Sequence, residues 1–465
     1  MKQRIGQEQR RMLMVNEPIK KIIPKMAFPT IIAFLITSIY SLADTFFVSL
    51  WAGKDPAPTA ALNVNASLDQ LIMMCGSMLA MGANSYIARL LGEGNDKKAN
   101  QVLSSSFFAA FGLGVLLLIV GMTWMGEMVD LLGATDTCRG YAMDYARYIL
   151  IAAPFMASSF VMNQCLRSEG SATLSMIGMG FGGVLNCILD PIFILTLDMG
   201  VEGASLATAI SKLVSFAILI FPYITRRSLL RLSVRFFRPT WDIIKNVVSV
   251  GSSSMFRNGL AVIAAVLLNN MAKSMANSDA LLSSLGITTK IMMFPFCIIL
   301  GFGNGFQPVA GFNWGARRYD RVMESYRFSS RVSLWGAGIM ALLIGVFSVP
   351  LIQIFATGNE QIQQYGLVCL ITQCVALPIH AWVATVNMLC VGLGNAKGAF
   401  MLATARQGTT FVPLLYPLSW IFGAYGLCSV QALADIVSLV FAIPLAISMT
   451  KKIKQAMVQD TTQTV

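Results

Sequence analysis

Charge is what this sequence has least of. Only 12% of its 465 residues are Asp, Glu, Lys or Arg, against about 25% in a soluble globular chain. Hydrophobic residues make up 56% and the mean hydropathy is +0.67. Such a chain cannot clothe itself in a water-facing surface, so a polytopic membrane protein is expected. Histidine occurs once, as His380, and no HExxH or GxSxG run is present. The lone imidazole has no acid and nucleophile arranged beside it in sequence, so enzyme chemistry is not expected. The nine cysteines show no CxxC or Cys/His spacing, and most lie in apolar segments. They read as small buried hydrophobes, with no resident metal or cofactor implied. The long, charged leader with no small-residue cleavage site after it gives no expectation of a cleavable signal peptide.

What the chain does have is apolar spans. Twelve are expected, near 25–51, 60–90, 103–132, 142–166, 172–197, 202–225, 246–272, 282–313, 328–356, 362–391, 398–422 and 425–449. The formal net charge of +12 sits in the short connections between them, so it needs no nucleic acid to explain it. Lys97 and Lys98 follow the second span, Arg226, Arg227, Arg231, Arg235 and Arg238 the sixth, and Arg317, Arg318, Arg321 and Arg327 the eighth. Lys451, Lys452 and Lys454 begin the tail, while the opposite loops offer little beyond Lys54, Arg139 and Lys273. The positive-inside rule then places both termini in the cytoplasm of a multi-pass inner-membrane protein.

An internal repeat is visible. GANSYIARLLGEGNDKKA (82–99) aligns with GFQPVAGFNWGARRYDRV (305–322), pairing Gly82 with Gly305 and Gly92 with Gly315. At the same offset, 200–216 aligns with 423–439, pairing Gly203 with Gly426 and Ser215 with Ser438. Two matches at one offset argue for duplication. Six spans per unit is an even number, so the units share orientation, as in parallel-repeat transporters. The expected organisation is an N-terminal segment (1–24), an N-lobe (25–225), a basic linker (226–245), a C-lobe (246–450) and a tail (451–465). The fold class is thus all-α, with twelve transmembrane helices in two six-helix lobes related by a parallel pseudo-twofold axis.

Ionisable residues inside such spans are costly and mark function by default. Asp190 lies in NCILDPIFI, one helical turn after Asn186 and on the same face. Pro191 lacks an N–H, so the carbonyl one turn earlier loses its helical partner. Asp44, in IYSLADTFF, lies at a similar distance into the first span, and Thr208 reaches that level on the returning sixth. Four polar groups at one depth suit a proton or Na⁺, and two carboxylates in a low-dielectric site titrate as a pair. The repeat partners of the acids fall near Asn269 and Asn270 and near Leu415 and Tyr416, so the pair belongs to the first half alone. Asn163, Gln164, Arg406, Gln407 and Asp435 are candidates to line a substrate cavity. His380, following Pro378, is expected to be hydrogen-bonded within the bundle rather than to carry protons. Some of the 28 Met and 28 Phe suit an adaptable pocket for flat apolar cations.

The chain resembles the multidrug and toxic compound extrusion (MATE) transporters over nearly its whole length. The resemblance is carried by Pro29 with Asp44, the Gly-rich run 82–99, LRSEGSA (166–172), NCILDPIFI (186–194), GFNWGARRYDR (311–321) and ARQGTTFVPLLYPL (405–418). It implies two lobes around a central cavity that open alternately and export organic cations against H⁺ or Na⁺. It also implies a cation site at Asp44, Asn186, Asp190 and Thr208, with hinges at Pro29 and Pro191 and no metal beyond Na⁺ at the acid pair. The seventh-span acid used by another branch has no counterpart here.

The reading is therefore a monomeric, cation-coupled antiporter of organic cations or amphipathic drugs, embedded in the bilayer and binding no nucleic acid. The alternative is a lipid-linked precursor flippase, which would want cavity arginines such as Arg406 for pyrophosphate. In a cysteine-free background, Lys54→Cys should be labelled from outside intact cells and Arg235→Cys should not. Labelling at 235 would reverse the topology.

Overall fold

Residues 11–53, 55, 57–275, 277–355 and 359–464 are described in the structure, a computed structural model; Lys54 lies outside them. Apolar runs that cannot hydrogen-bond to lipid must satisfy their backbone internally, and here they all do so as helices. The first half holds α1 (Ile19–Ala52), α2 (Ala57–Gly92), α3 (Asp96–Thr123), α4 (Arg139–Ser168), α5 (Ala172–Pro191) and α6 (Gly200–Ile224). The second holds α7 (Trp241–Lys273), α8 (Ser278–Gly315), α9 (Tyr319–Val346) and α10 (Glu360–Gly392). The stretch Ala396–Asp460 that follows runs for 65 residues, more than twice the about 20 that one span needs. Gly423 divides it at φ 57°, giving α11 from Ala396 and α12, which continues through Leu439–Thr464. Twelve spans result among the described residues.

The halves repeat in detail. The expected third and ninth spans each break near the end, leaving short helices at Met125–Leu131 and Ser348–Phe355 in equivalent positions. α1 starts at Ile19 rather than 25 and α7 at Trp241 rather than 246, because Ile19, Ile22, Ile23 and Ile243 find buried sites at those helix ends. A similar turn also recurs outside the repeat register: GEGN ends α2 and GLGN ends α10, where Gly94 (φ 78°) and Gly394 (φ 74°) take the left-handed conformation. Asn95 and Asn395 then cap the next helix, accepting from the amides of Lys98 and Gly398 at 3.2 and 3.1 Å.

The lobes meet along α1 with α8, α2 with α7 and α2 with α8. The contact is backbone on backbone. A Cβ at Gly92 would lie 2.1 Å from the Phe312 carbonyl oxygen, and one at Gly315 would lie 2.0 Å from that of Arg89. These two contacts exchange under the repeat, so they straddle the pseudo-twofold axis. Nearby, Asn84 donates to its repeat counterpart Gln307 at 3.5 Å. The halves of α2 and α8 on this side are buried almost throughout, whereas their other halves alternate buried and exposed positions. The molecule is thus closed on the side of the interlobe connection.

That connection is held against the N-lobe. The amides of Arg231, Ser233 and Arg238 donate to Asn100, Ser104 and Ser105 on α3 at 2.7, 3.3 and 3.3 Å. The chain before α1 spans both lobes on the same side. Arg11 pairs with Asp96, while the Met14 and Glu17 carbonyls accept from Asn313 and Arg321 at 3.2 and 2.6 Å. All nine cysteines are free, and six of them are buried.

Candidate functional site

The N-lobe carries a buried polar chain across four helices. Asn186 on α5 donates through Nδ2 to Asp190 Oδ1 at 3.0 Å and to Thr208 Oγ1 on α6 at 3.2 Å. Tyr145 on α4 donates to Asp44 Oδ2 on α1 at 3.3 Å and has Thr208 as a side-chain neighbour. Asp190 and Asp44 act on one another through their charges. Just beyond Asp190 the helix widens into a π turn at Ile192–Thr196, following the N–H missing at Pro191. Pro29, by contrast, leaves α1 continuous.

Asp44 Oδ1, Asn186 Oδ1 and Asp190 Oδ2 are buried and have no hydrogen-bond donor. Unmatched buried oxygens are expensive, and a bound proton or hard cation is what satisfies them. Among the described residues no group of three or more His, Cys, Asp or Glu side chains is placed to hold a metal ion. The adjoining cavity, lined by Tyr40, Asn186, Thr208 and Lys212, holds about 60 Å³. That is room for an ion with a few waters, and far too little for a drug.

Two charged members of this lobe are absent from the sequence reading. Asp69 on α2 has a buried oxygen without a donor, and Lys212 on α6 donates to Tyr40 at 2.7 Å. The Lys212 charge acts on both Asp69 and Asp44. Both residues stand in apolar runs (SLDQLIMM and ATAISKLVSF), so the rule that singled out Asp44 and Asp190 reaches them equally.

The cavity candidates separate into two groups. Asn163 donates to the Ser175 carbonyl at 3.2 Å, tying α4 to α5, although it also borders the N-lobe cavity. Gln164 accepts from Asn84 at 3.0 Å and donates to Asn304 on α8 at 3.3 Å, so it joins the lobes. Arg406, Gln407 and Asp435 border a C-lobe cavity of about 230 Å³. There Asp435 Oδ1 lies 2.8 Å from Arg406 Nε and 3.5 Å from His380 Nδ1. Asp435, partnerless in sequence, has its partners on α10 and α11, and His380 has its acid on α12. A second arginine within a span, Arg257 on α7, borders the same cavity.

The cluster assigns the His380 tautomer. Arg406 Nη1 lies 3.3 Å from His380 Nε2 and can only donate, so Nε2 accepts and Nδ1 carries the proton toward Asp435. The imidazole thus has a hydrogen-bond donor at one nitrogen and a carboxylate 3.5 Å from the other.

The comparisons agree with this architecture. Residues 29–192 and 254–416 match the MatE family model, one match per half. The chain is 26% identical over 408 residues to the multidrug export protein MepA of Staphylococcus saprophyticus, covering 86% of this chain and 87% of that one. It is 25% identical to MepA of Staphylococcus aureus, over 88% and 90% of the two chains. A structure described as the outward-facing conformation of a multidrug resistance MATE family transporter superposes with a TM-score of 0.88 at 25% identity. It covers 96% of this chain and 98% of that one. If His380 is structural, His380→Gln should leave the pH profile of drug efflux where it is and lower at most the folded yield; a displaced profile at normal expression would make it a coupling residue.

Proposed function

The chain belongs to the MatE family, and from that membership we propose that this multi-pass multidrug efflux transporter is an antiporter, exporting organic cations against H⁺ or Na⁺ bound at Asp44, Asn186, Asp190 and Thr208. The observation that carries the reading is the set of three buried, donorless oxygens on Asp44, Asn186 and Asp190. A site built from α1, α5 and α6 changes shape whenever those helices shift, so it holds its ion more tightly in one state of the lobe than in another. That difference in affinity is what couples an ion gradient to a conformational cycle. Organic cations compete for the same negative field, so ion entry favours their release.

With both termini and the linker in the cytoplasm, as the loop charges favour, the closed side described above faces the cytoplasm and the conformation is outward-facing. Support for this comes from the likeness to an outward-facing relative. Pro191 with its π turn and Pro29 within the continuous α1 are the hinges of this proposal.

Asp44→Asn and Asp190→Asn should each leave a folded protein, because a neutral amide costs less in the bilayer than a carboxylate. Export against a gradient should drop about tenfold or more in either variant, since an ion without preference for one state shifts nothing. The double variant should lose little beyond either single one, as expected of groups that act as a unit. Efflux of a cationic dye from vesicles, under an imposed pH gradient with and without Na⁺ and at matched expression, reads all three. Wild-type export by both single variants would place the coupling site elsewhere.

A further inference from the structure

The two lobes carry opposite charge at matched positions. The repeat that pairs Gly203 with Gly426 also pairs Lys212 with Asp435. In the N-lobe Lys212 acts on the carboxylates of Asp44 and Asp69; in the C-lobe Asp435 is the one acid bordering a cavity that Arg406, Arg257 and His380 also border. Asp435 is paired by charge within its own cluster: one oxygen lies 2.8 Å from Arg406 and 3.5 Å from His380. Arg257 is left over. Among the described residues no carboxylate pairs with it, and its hydrogen bond is to the neutral Ser254 hydroxyl at 3.3 Å. The Arg406 charge acts on it repulsively. With His380 neutral, the cavity therefore holds two guanidinium groups against one carboxylate.

An uncompensated cation in an apolar bundle is costly unless something supplies the missing negative charge. The geometry points to a second subsite in the C-lobe cavity that takes the carboxylate of a zwitterionic amphipathic substrate, with Arg257 as its principal partner. Arg257 offers a planar fork matched to a carboxylate, and Gln407 adds an amide on the same wall. Phe296, Met388 and Leu402 line the remainder and suit an apolar body. Arg406 is already occupied, paired with Asp435 and stacked 4.6 Å above the Phe296 ring, so it sets the field rather than making the contact. At about 230 Å³ the cavity is nearly four times the size of the N-lobe cavity of about 60 Å³ and admits a substrate headgroup. The assignment goes beyond the antiport proposal and stands without it, because it concerns binding with no gradient present.

The test uses the full chain purified in detergent and two probes: a xanthene dye with a free carboxylate, and its methyl ester. Fluorescence anisotropy gives both affinities. Arg257→Gln should weaken binding of the acid dye about tenfold or more and leave the ester within about twofold, while Arg257→Lys should restore part of the loss. Equal loss of both dyes, or no loss of either, overturns the assignment. If Arg257→Gln does not give a monodisperse protein, the wild type decides: a small aromatic carboxylate should displace the acid dye and its primary amide should not. Displacement by both, or by neither, overturns it. A short-chain phosphatidate that displaces the acid dye more strongly than the aromatic carboxylate would give the subsite to lipid phosphate and overturn the carboxylate assignment.

Discussion

A charge placed inside an apolar helix bundle must be compensated within reach of its own side chain. Insertion of one such residue costs about 3 kcal/mol at mid-bilayer, and several act in each lobe here. The N-lobe meets this demand with Tyr145, Asn186 and Lys212 and still leaves oxygens without donors. The C-lobe meets it with the Arg406–Asp435–His380 cluster and still leaves Arg257 without an acid. In the proposed function, those two incomplete balances, of opposite sign, are where ions and substrates acquire differential affinity. A fully balanced lobe would be more stable and would have nothing to transport.

The proposed antiport cycle further requires that the lobes separate and rejoin without unfolding. Glycine makes this possible on the closed side, where Gly92 and Gly315 let α2 and α8 touch backbone to backbone. Membrane helices gain no hydrophobic stabilisation from one another, so close packing of small residues carries the contact. Polar bridges such as Asn84–Gln307 and Gln164–Asn304 add specificity at modest strength, which suits an interface that must open in every cycle.

How much of this was legible in the sequence follows from the range of each signal. The spans, the repeat and the Gly423 division rest on local hydropathy and on glycine, and they are read directly. Asn186 and Asp190 share a helix face one turn apart, so their bond is predictable, and so is the break in helical hydrogen bonding at Pro191. Asp435 and His380 looked isolated because their partners lie on other helices, and only packing brings those together. Arg257 escaped notice for the opposite reason: the seventh span was searched for an acid, and its cation was passed over. Asp69 and Lys212 were equally visible as charges in apolar runs. Their effect on Asp44 is a matter of three dimensions.

The central claim is that organic cation and coupling ion exclude one another at the Asp44–Asp190 cluster. The most direct measurement is ion release on substrate binding to the purified protein, followed with a pH indicator in lightly buffered solution and with a Na⁺-selective electrode. The account predicts that saturation with a cationic dye releases about one H⁺ or Na⁺ per transporter, and that the release disappears in Asp44→Asn and Asp190→Asn while dye binding persists. Dye binding by the wild type with no ion released, at any pH or Na⁺ concentration where transport runs, would contradict it.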